Sequence, residues 1–169
     1  MLLELFSAAQ YYYTKQLLED ELEKKASIEM TMKAILIKSM LNTTEQVLNS
    51  HITEVTKLTE DPDDIEDALL NIVEANCYFN GVGLAFTPGY FKGGDELFEP
   101  WAFNSKGKTY AKKNIAKRGG HDYTTFKFYN EPMATGKPYW SDPYIDSVET
   151  HTLITTYSIP ITDKNGNKA

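Results

Sequence analysis

The segment Trp140-Ser141-Asp142-Pro143-Tyr144-Ile145-Asp146 sets two carboxylates beside two large rings and a proline that fixes the local backbone. Carboxylates so spaced could serve as an acid and a base, and His121-Asp122 could offer a second such couple. No Gly-x-Ser-x-Gly elbow, phosphate loop, His-Glu-x-x-His or dinucleotide fingerprint accompanies them. Carboxylates in Asp-Pro-Tyr and Asp-Lys-Asn-Gly settings are mostly turn formers. A small hydrolase using Asp142 and Asp146 is therefore the lesser reading, and the domain is expected to be no enzyme. An aromatic wall with a few placed polar groups suits the holding of a small molecule.

Other chemistries find less support. His51, His121 and His151 are scattered, and Cys77 is single, so neither a metal site nor an internal disulfide is expected, and no cofactor. Cys77 lies in the apolar run from Val73 to Phe79 and reads as buried packing. The net charge of -7 and pI near 5.0 argue against a nucleic-acid partner, which needs clustered Lys and Arg. The basic cluster from Lys106 to Arg118 reads as a solvated hairpin. No stretch approaches the ~20 apolar residues of a membrane span. Met1 to Phe6 is short and interrupted by Glu4, which leaves a soluble protein or a portion that begins just after a span.

These residues need a scaffold. The length of 169 residues suits one compact domain with one protruding element. From Leu22 through Ala26, Met30, Ala34, Ile37, Leu41, Thr44, Leu48 and Ile52 to Val55 the spacing averages about 3.7 residues, the period of a helix face. Neither Gly nor Pro interrupts it, so one long helix is predicted, with a bend near Asn42-Thr43-Thr44. Its charged first part, Gln16 to Lys25, reads as a stalk, and Ile35 to Leu58 as the part that lies on the domain. The helix either pairs with that of a second copy, as a homodimer, or packs within one chain.

Asp61-Pro62 reads as the cap and first position of a second helix that ends near Asn76. Cys77 to Thr87 reads as a first strand, and Leu97 to Asn104 with Lys108 to Ile115 as a hairpin turning at Ser105-Lys106-Gly107. A short aromatic helix is expected within Thr124 to Thr135, ended by Gly136. After the Trp140 to Asp146 loop, Thr152 to Thr162 reads as one β-branched strand, and Asp163-Lys164-Asn165-Gly166 as a hairpin turn. A strand opening there would continue past Ala169, so the chain reads as a piece of a longer one. The fold class expected is α+β: a long N-terminal helix, 1–60, packed on a central antiparallel sheet with flanking short helices, 61–169.

That order of elements, with Trp140-Ser141-Asp142-Pro143-Tyr144-Ile145-Asp146 and Ser158-Ile159-Pro160-Ile161-Thr162-Asp163-Lys164-Asn165-Gly166, resembles the Cache family, or PDC sensor domains. These are extracytoplasmic, PAS-like modules of bacterial transmembrane histidine kinases, chemoreceptors and receptor phosphatases. The resemblance implies the membrane-distal half of a double Cache domain, periplasmic, membrane-anchored in the full-length protein, binding a small metabolite and signalling through the N-terminal helix. A cytoplasmic PAS or GAF-like signalling module is the nearer alternative.

Amino-acid-binding members carry Arg-x-Trp-Tyr before the loop, where this chain has Phe126, Phe128 and Tyr129. Phe126 cannot neutralise a carboxylate as that Arg does. Tyr144 and Asp146 match the family's Tyr-x-Asp, whose Asp receives a ligand ammonium group. The expected ligand-binding residues are Tyr110, Phe126, Phe128, Tyr129, Trp140, Tyr144 and Asp146. The ligand is then an amine, a neutral molecule, or a carboxylate held by a displaced cation such as Lys127.

Overall fold

A computed structural model describes residues 2–58, 64–76, 78–91, 93–112, 114–116, 121–146 and 151–169. The chain divides into two compact units, Met1–Gln46 and Val47–Ala169. Helix α1, Leu2–Leu58, supplies the whole of the first and opens the second. With no Gly or Pro in its interior, its ladder has no intrinsic breaker, and it runs through Asn42-Thr43-Thr44, where the Thr43 and Thr44 hydroxyls donate to the Ser39 and Met40 carbonyls.

In the first unit the predicted stripe stays in solvent as far as Ile37: Leu22, Met30 and Ile37 are exposed, as are Leu18, Ile28 and Ile35 off the stripe, while Leu41 and Thr44 are half-buried. Exposed pairs one turn apart, Lys15 with Glu19 and Lys33 with Glu29, add only tenths of a kcal/mol each, about 0.3–0.5. Packing that the sequence suggests from Ile35 onward is absent at Ile35, Leu36 and Ile37, and Val55 is the first buried side chain of the helix among the described residues.

The second unit is built around helix α2, Ile65–Ala75. Ile65, Leu69, Ile72 and Val73 recur at helical spacing and are all buried. The cap expected at Asp61-Pro62 and the packing of Cys77 lie outside the described residues. Against α2 lies an antiparallel sheet of β1 (Gly81–Gly83), β2 (Trp101–Ser105) and β3 (Lys108–Lys112), in that order. Lys106 and Gly107, both at positive φ, make the two-residue turn between β2 and β3.

Side chains alternate across these strands, so register sorts them by face. Val82, Ala102 and Ala111 share one row and pack with Val55, Ile65, Leu69 and Val73. The rows on either side, Gly81-Phe103-Tyr110 and Gly83-Trp101, belong to the other face. Pairing continues past β1, because Leu84 N–H donates to Pro100 O and Phe86 N–H to Phe98 O, both at 3.1 Å. Phe86 then sits among Tyr90, Phe91 and Phe98, with ring centroids 5.0–5.5 Å away.

A 3-10 turn, Tyr123–Thr125, is capped by Asp122, whose carboxylate accepts from Thr124 N–H at 3.0 Å. Helix α3, Lys127–Thr135, follows and ends where Gly136 adopts φ 68°. The strand expected as one piece from Thr152 to Thr162 is instead two short ones, β6 (Leu153–Ile154) and β7 (Tyr157–Ser158). They pair with β5 (Tyr144–Ile145) and β4 (Tyr139–Trp140) respectively, so the expected Trp140 to Asp146 loop is half of a broken ribbon.

The break is set from the facing half of the ribbon. Ser141 Oγ accepts Thr156 N–H at 2.9 Å and Ser141 O accepts the Thr155 hydroxyl at 2.7 Å, while Pro143 has no N–H to give. Beyond it, Asp163 closes a turn by accepting Asn165 and Asn167 N–H, each at 2.8 Å. Ala169 joins the sheet: its N–H donates to Ile161 O and its carbonyl accepts Thr87 N–H at 2.8 Å.

Candidate functional site

The predicted residues fall into four ring groupings. Phe126, at the foot of α3, stacks on Phe128 with centroids 5.5 Å apart, and Phe128 stacks on Tyr144 at 6.4 Å. His121 adds its imidazole to the near end of this row, 5.4 Å from Phe126. Tyr129 meets Tyr123, Trp140 meets Tyr157 across the β4–β7 pair, and Tyr110 stacks on Phe103 on the sheet face opposite α2. Phe126, Phe128 and Tyr144 therefore come together, while Tyr110, Tyr129 and Trp140 each have another ring as neighbour.

Two buried carboxylates act on the row His121, Phe126, Phe128, Tyr144. Asp146 closes the β5 end, 8% exposed, its N–H donating to Thr152 O at 2.9 Å. Glu99 is 4% exposed, with Oε2 3.0 Å from His121 Nε2. The contact is an ion pair whenever the imidazole carries its second proton. Asp142, the other half of the carboxylate couple considered for catalysis, is exposed.

Glu99 is held from its main chain. Its N–H donates to Asn114 Oδ1 at 3.0 Å and its carbonyl accepts Ile115 N–H at 2.9 Å. Asn114 also donates to Leu97 O and Asp95 Oδ2, so one amide organises the approach to β2. Trp101, two residues on, lays its ring over β1, where a Cβ on Gly81 or Gly83 would come within 2.5 Å of it. Only glycine leaves room there. The Trp101 indole N–H is buried without an acceptor among the described residues.

The charges respond to one another. Burial pushes the Glu99 carboxyl up, against the lowering effect of His121. The hydrogen-bonding reach of Glu99 raises the His121 imidazole, burial opposes it, and Asp146 and Asp122 add to the rise. Burial raises the Tyr144 phenol, with Asp146 and Glu99 adding and the Thr156 hydroxyl, 2.7 Å away, subtracting. Both carboxylates are thus felt across the ring row.

Glu99 was not foreseen as a site residue. Its one sequence signal is a charged side chain directly before Pro100 at the entry to a buried strand. The sequence suggests His121 only as a catalytic partner of Asp122, whose carboxylate is occupied in capping the 3-10 turn.

A small antiparallel sheet with a helix on one face and a ring-lined segment leading to a strand ribbon is the plan of a PAS-like sensor module. The chain belongs to the family described as methyl-accepting chemotaxis protein-like, first PDC sensor domain, whose profile matches residues 65–168. It is a PDC, or Cache, extracytoplasmic sensor domain of a bacterial signalling receptor. A solved structure, the extracellular domain of the putative histidine kinase soHK1S-Z6, shares the fold at TM-score 0.62 and 21% identity. The match covers 77% of this chain and 52% of that one, so this chain spans about half of its length. No curated protein matches the chain. Among the described residues, no helix is long and apolar enough to cross a membrane.

Proposed function

We propose that the chain senses a small metabolite held against Phe126, Phe128, Tyr144 and Asp146, without catalysis. The observation that carries this reading is the stacked row of Phe126, Phe128 and Tyr144 with the buried Asp146 two residues on from Tyr144, an apolar surface with a fixed polar group. Trp140, Tyr129 and Tyr110 stand apart from this row, each against another ring.

The parent protein is a transmembrane histidine kinase, chemoreceptor or receptor phosphatase, with this portion periplasmic. Ligand binding favours one packing of the ribbon and sheet, and α1 carries the displacement toward the membrane, paired with α1 of a second copy. The exposed apolar side chains along α1 support that pairing.

Thermal-shift measurements against a metabolite panel test the site. A metabolite that stabilises the chain should lose its effect in Tyr144→Ala and Asp146→Ala, and weaken in Trp140→Ala. Unchanged responses in all three would remove the site from this wall.

A further inference from the structure

We propose that the contact between Glu99 and His121 is a proton-operated clasp on the 3-10 turn, closed while the imidazole carries its second proton and released when that proton leaves, so that the domain takes acidity as an input of its own. The inference goes beyond the metabolite reading, because a proton alone works the clasp.

The two partners are held differently. Glu99 is fixed through its main chain on both sides, to Asn114 Oδ1 and to Ile115 N–H, and is buried just before β2. His121 makes no main-chain hydrogen bond among the described residues. Its ring is what ties it down, 3.0 Å from Glu99 and 5.4 Å, centroid to centroid, from Phe126. A fixed carboxylate and a partner attached by a titratable ring make a joint whose strength follows the charge of that ring. With the proton on, the buried anion meets a cation; with it off, the carboxylate stays in the interior without one, at a cost that opening of the joint relieves. The His121 side chain is 10% exposed, so solvent reaches the ring to take the proton.

A neighbouring bond confines the release. Tyr123 hydrogen-bonds through its hydroxyl to Phe86 O and Phe98 N–H, and Phe98 directly precedes Glu99. The turn is therefore fastened to the Phe98-Glu99 step at two points, one that no proton controls in the physiological range and one that titrates. When the second opens, Tyr123 is the pivot: His121 and Asp122 move, and Thr124 N–H and Thr125 N–H lose their acceptors, the Asp122 carboxylate and carbonyl. Phe126 loses the imidazole beside it, so the ring row registers the change.

The titratable groups that face the imidazole from the elements around it are Glu99 before β2, Asp122 at the 3-10 cap and Asp146 after β5. All three are acidic and favour the charged ring. Tyr123 and Tyr144 lie near the same carboxylates, and burial raises both phenols, so they stay neutral. The closed turn thus holds the His121 proton more tightly than an open one does. The clasp is fully closed below the ordinary 6.5 of the imidazole and is lost as pH rises through the higher closed-state value.

Nuclear magnetic resonance of the 169-residue chain tests this, by the His121 ring titration and by amide exchange at pH 5.5 and 8.5 corrected for the intrinsic rate. The ring should titrate above 6.5, with the Phe126 ring and the Thr124 and Thr125 amides shifting at the same midpoint. Protection of those two amides should fall by about tenfold for each pH unit between the closed and open midpoints. Leu84 and Phe86, in the strand seam, should keep theirs. Glu99→Gln should bring the His121 midpoint down. His121→Gln should leave Thr124 and Thr125 equally protected at both pH values, and His121→Lys, charged throughout, should keep them protected at pH 8.5.

A His121 midpoint at or below 6.5 in the unaltered chain would overturn the clasp, and that titration needs no variant to fold. A higher midpoint with no accompanying change at Thr124, Thr125 and Phe126 would overturn it too, as would the same loss of protection in His121→Gln. These outcomes leave the metabolite reading untouched, since that reading is decided by the Tyr144→Ala and Asp146→Ala responses.

Discussion

The Tyr123 hydroxyl donates to the Phe86 carbonyl at 2.6 Å. It also accepts Phe98 N–H at 3.2 Å. Phe86 N–H and Phe98 O pair directly, so the phenol takes the place of the return bond expected of an antiparallel pair. One side chain thereby pins the 3-10 turn into the seam between two strands. Tyr123 is fully buried, and burial pushes its phenol up to about 12.

Tyr123→Phe should leave the Phe86 carbonyl and the Phe98 amide without their partner in the interior. The expected loss is about 1–3 kcal/mol, the cost of buried unsatisfied groups, seen as a lower urea midpoint at constant m. A loss below a few tenths would mean that the strands close directly when the phenol leaves.

The Glu99–His121 pair sets a pH dependence. Both groups have raised folded values, so the folded chain binds more protons than the unfolded one in their titration range. The His121 contribution is fully present below its ordinary 6.5 and is lost as pH rises through the higher folded value. Glu99 works in the same direction from its ordinary 4.5 upward, because ionising it in the interior costs the folded state. Chemical denaturation between pH 6.5 and 8 should show falling stability, by at most about 1.4 kcal/mol per pH unit per proton. His121→Gln should flatten that slope.

Gly83→Ala would set a Cβ 2.5 Å from the Trp101 ring and 3.2 Å from the Pro100 carbonyl. Overpacking of this kind costs about 1–3 kcal/mol. The same substitution in a Trp101→Leu background should cost clearly less, and the difference between the two urea midpoints measures the steric coupling.

Asp163 titrates below its ordinary 3.8, chiefly because the Asn167 N–H donates to its carboxylate, with Asn165 adding. The turn's stabilisation is therefore present above 3.8 and lost as pH falls through the lower folded value. Amide signals of Asn165 and Asn167 should shift together at that point. Asp163→Ala should abolish the joint shift.

Much of the fold could be read from residue order. The unbroken helix-forming stretch after Leu2, the apolar spacing in α2, the Lys106-Gly107 turn and the Gly136 stop each act over a few residues, where local chemistry decides conformation. The stretch from Thr152 to Thr162 misled for the same reason. Its β-branched content predicts an extended backbone, but Ser141 and Pro143, on the facing half of the ribbon, decide where that backbone pairs.

The candidate site divides similarly. Phe126, Phe128, Tyr144 and Asp146 lie in one aromatic stretch and its sequel, so composition pointed to them. Glu99 joins through the sheet, and only long-range pairing brings it to His121. The exposed stripe of α1 shows the limit of periodicity: a helical repeat of apolar residues does not say what covers it.

The ribbon from Tyr139 to Ser158 has a kinetic consequence. Its pairs are two residues long and are joined through the bonds of Ser141 to Thr155 and Thr156, so the ribbon parts by losing a short run of bonds. The seam at Phe86 is not among those bonds. A molecule resting against Tyr144 would leave at the rate at which this short ribbon unzips, which makes the lifetime of the signal a property of the ribbon sequence and not of the ligand alone.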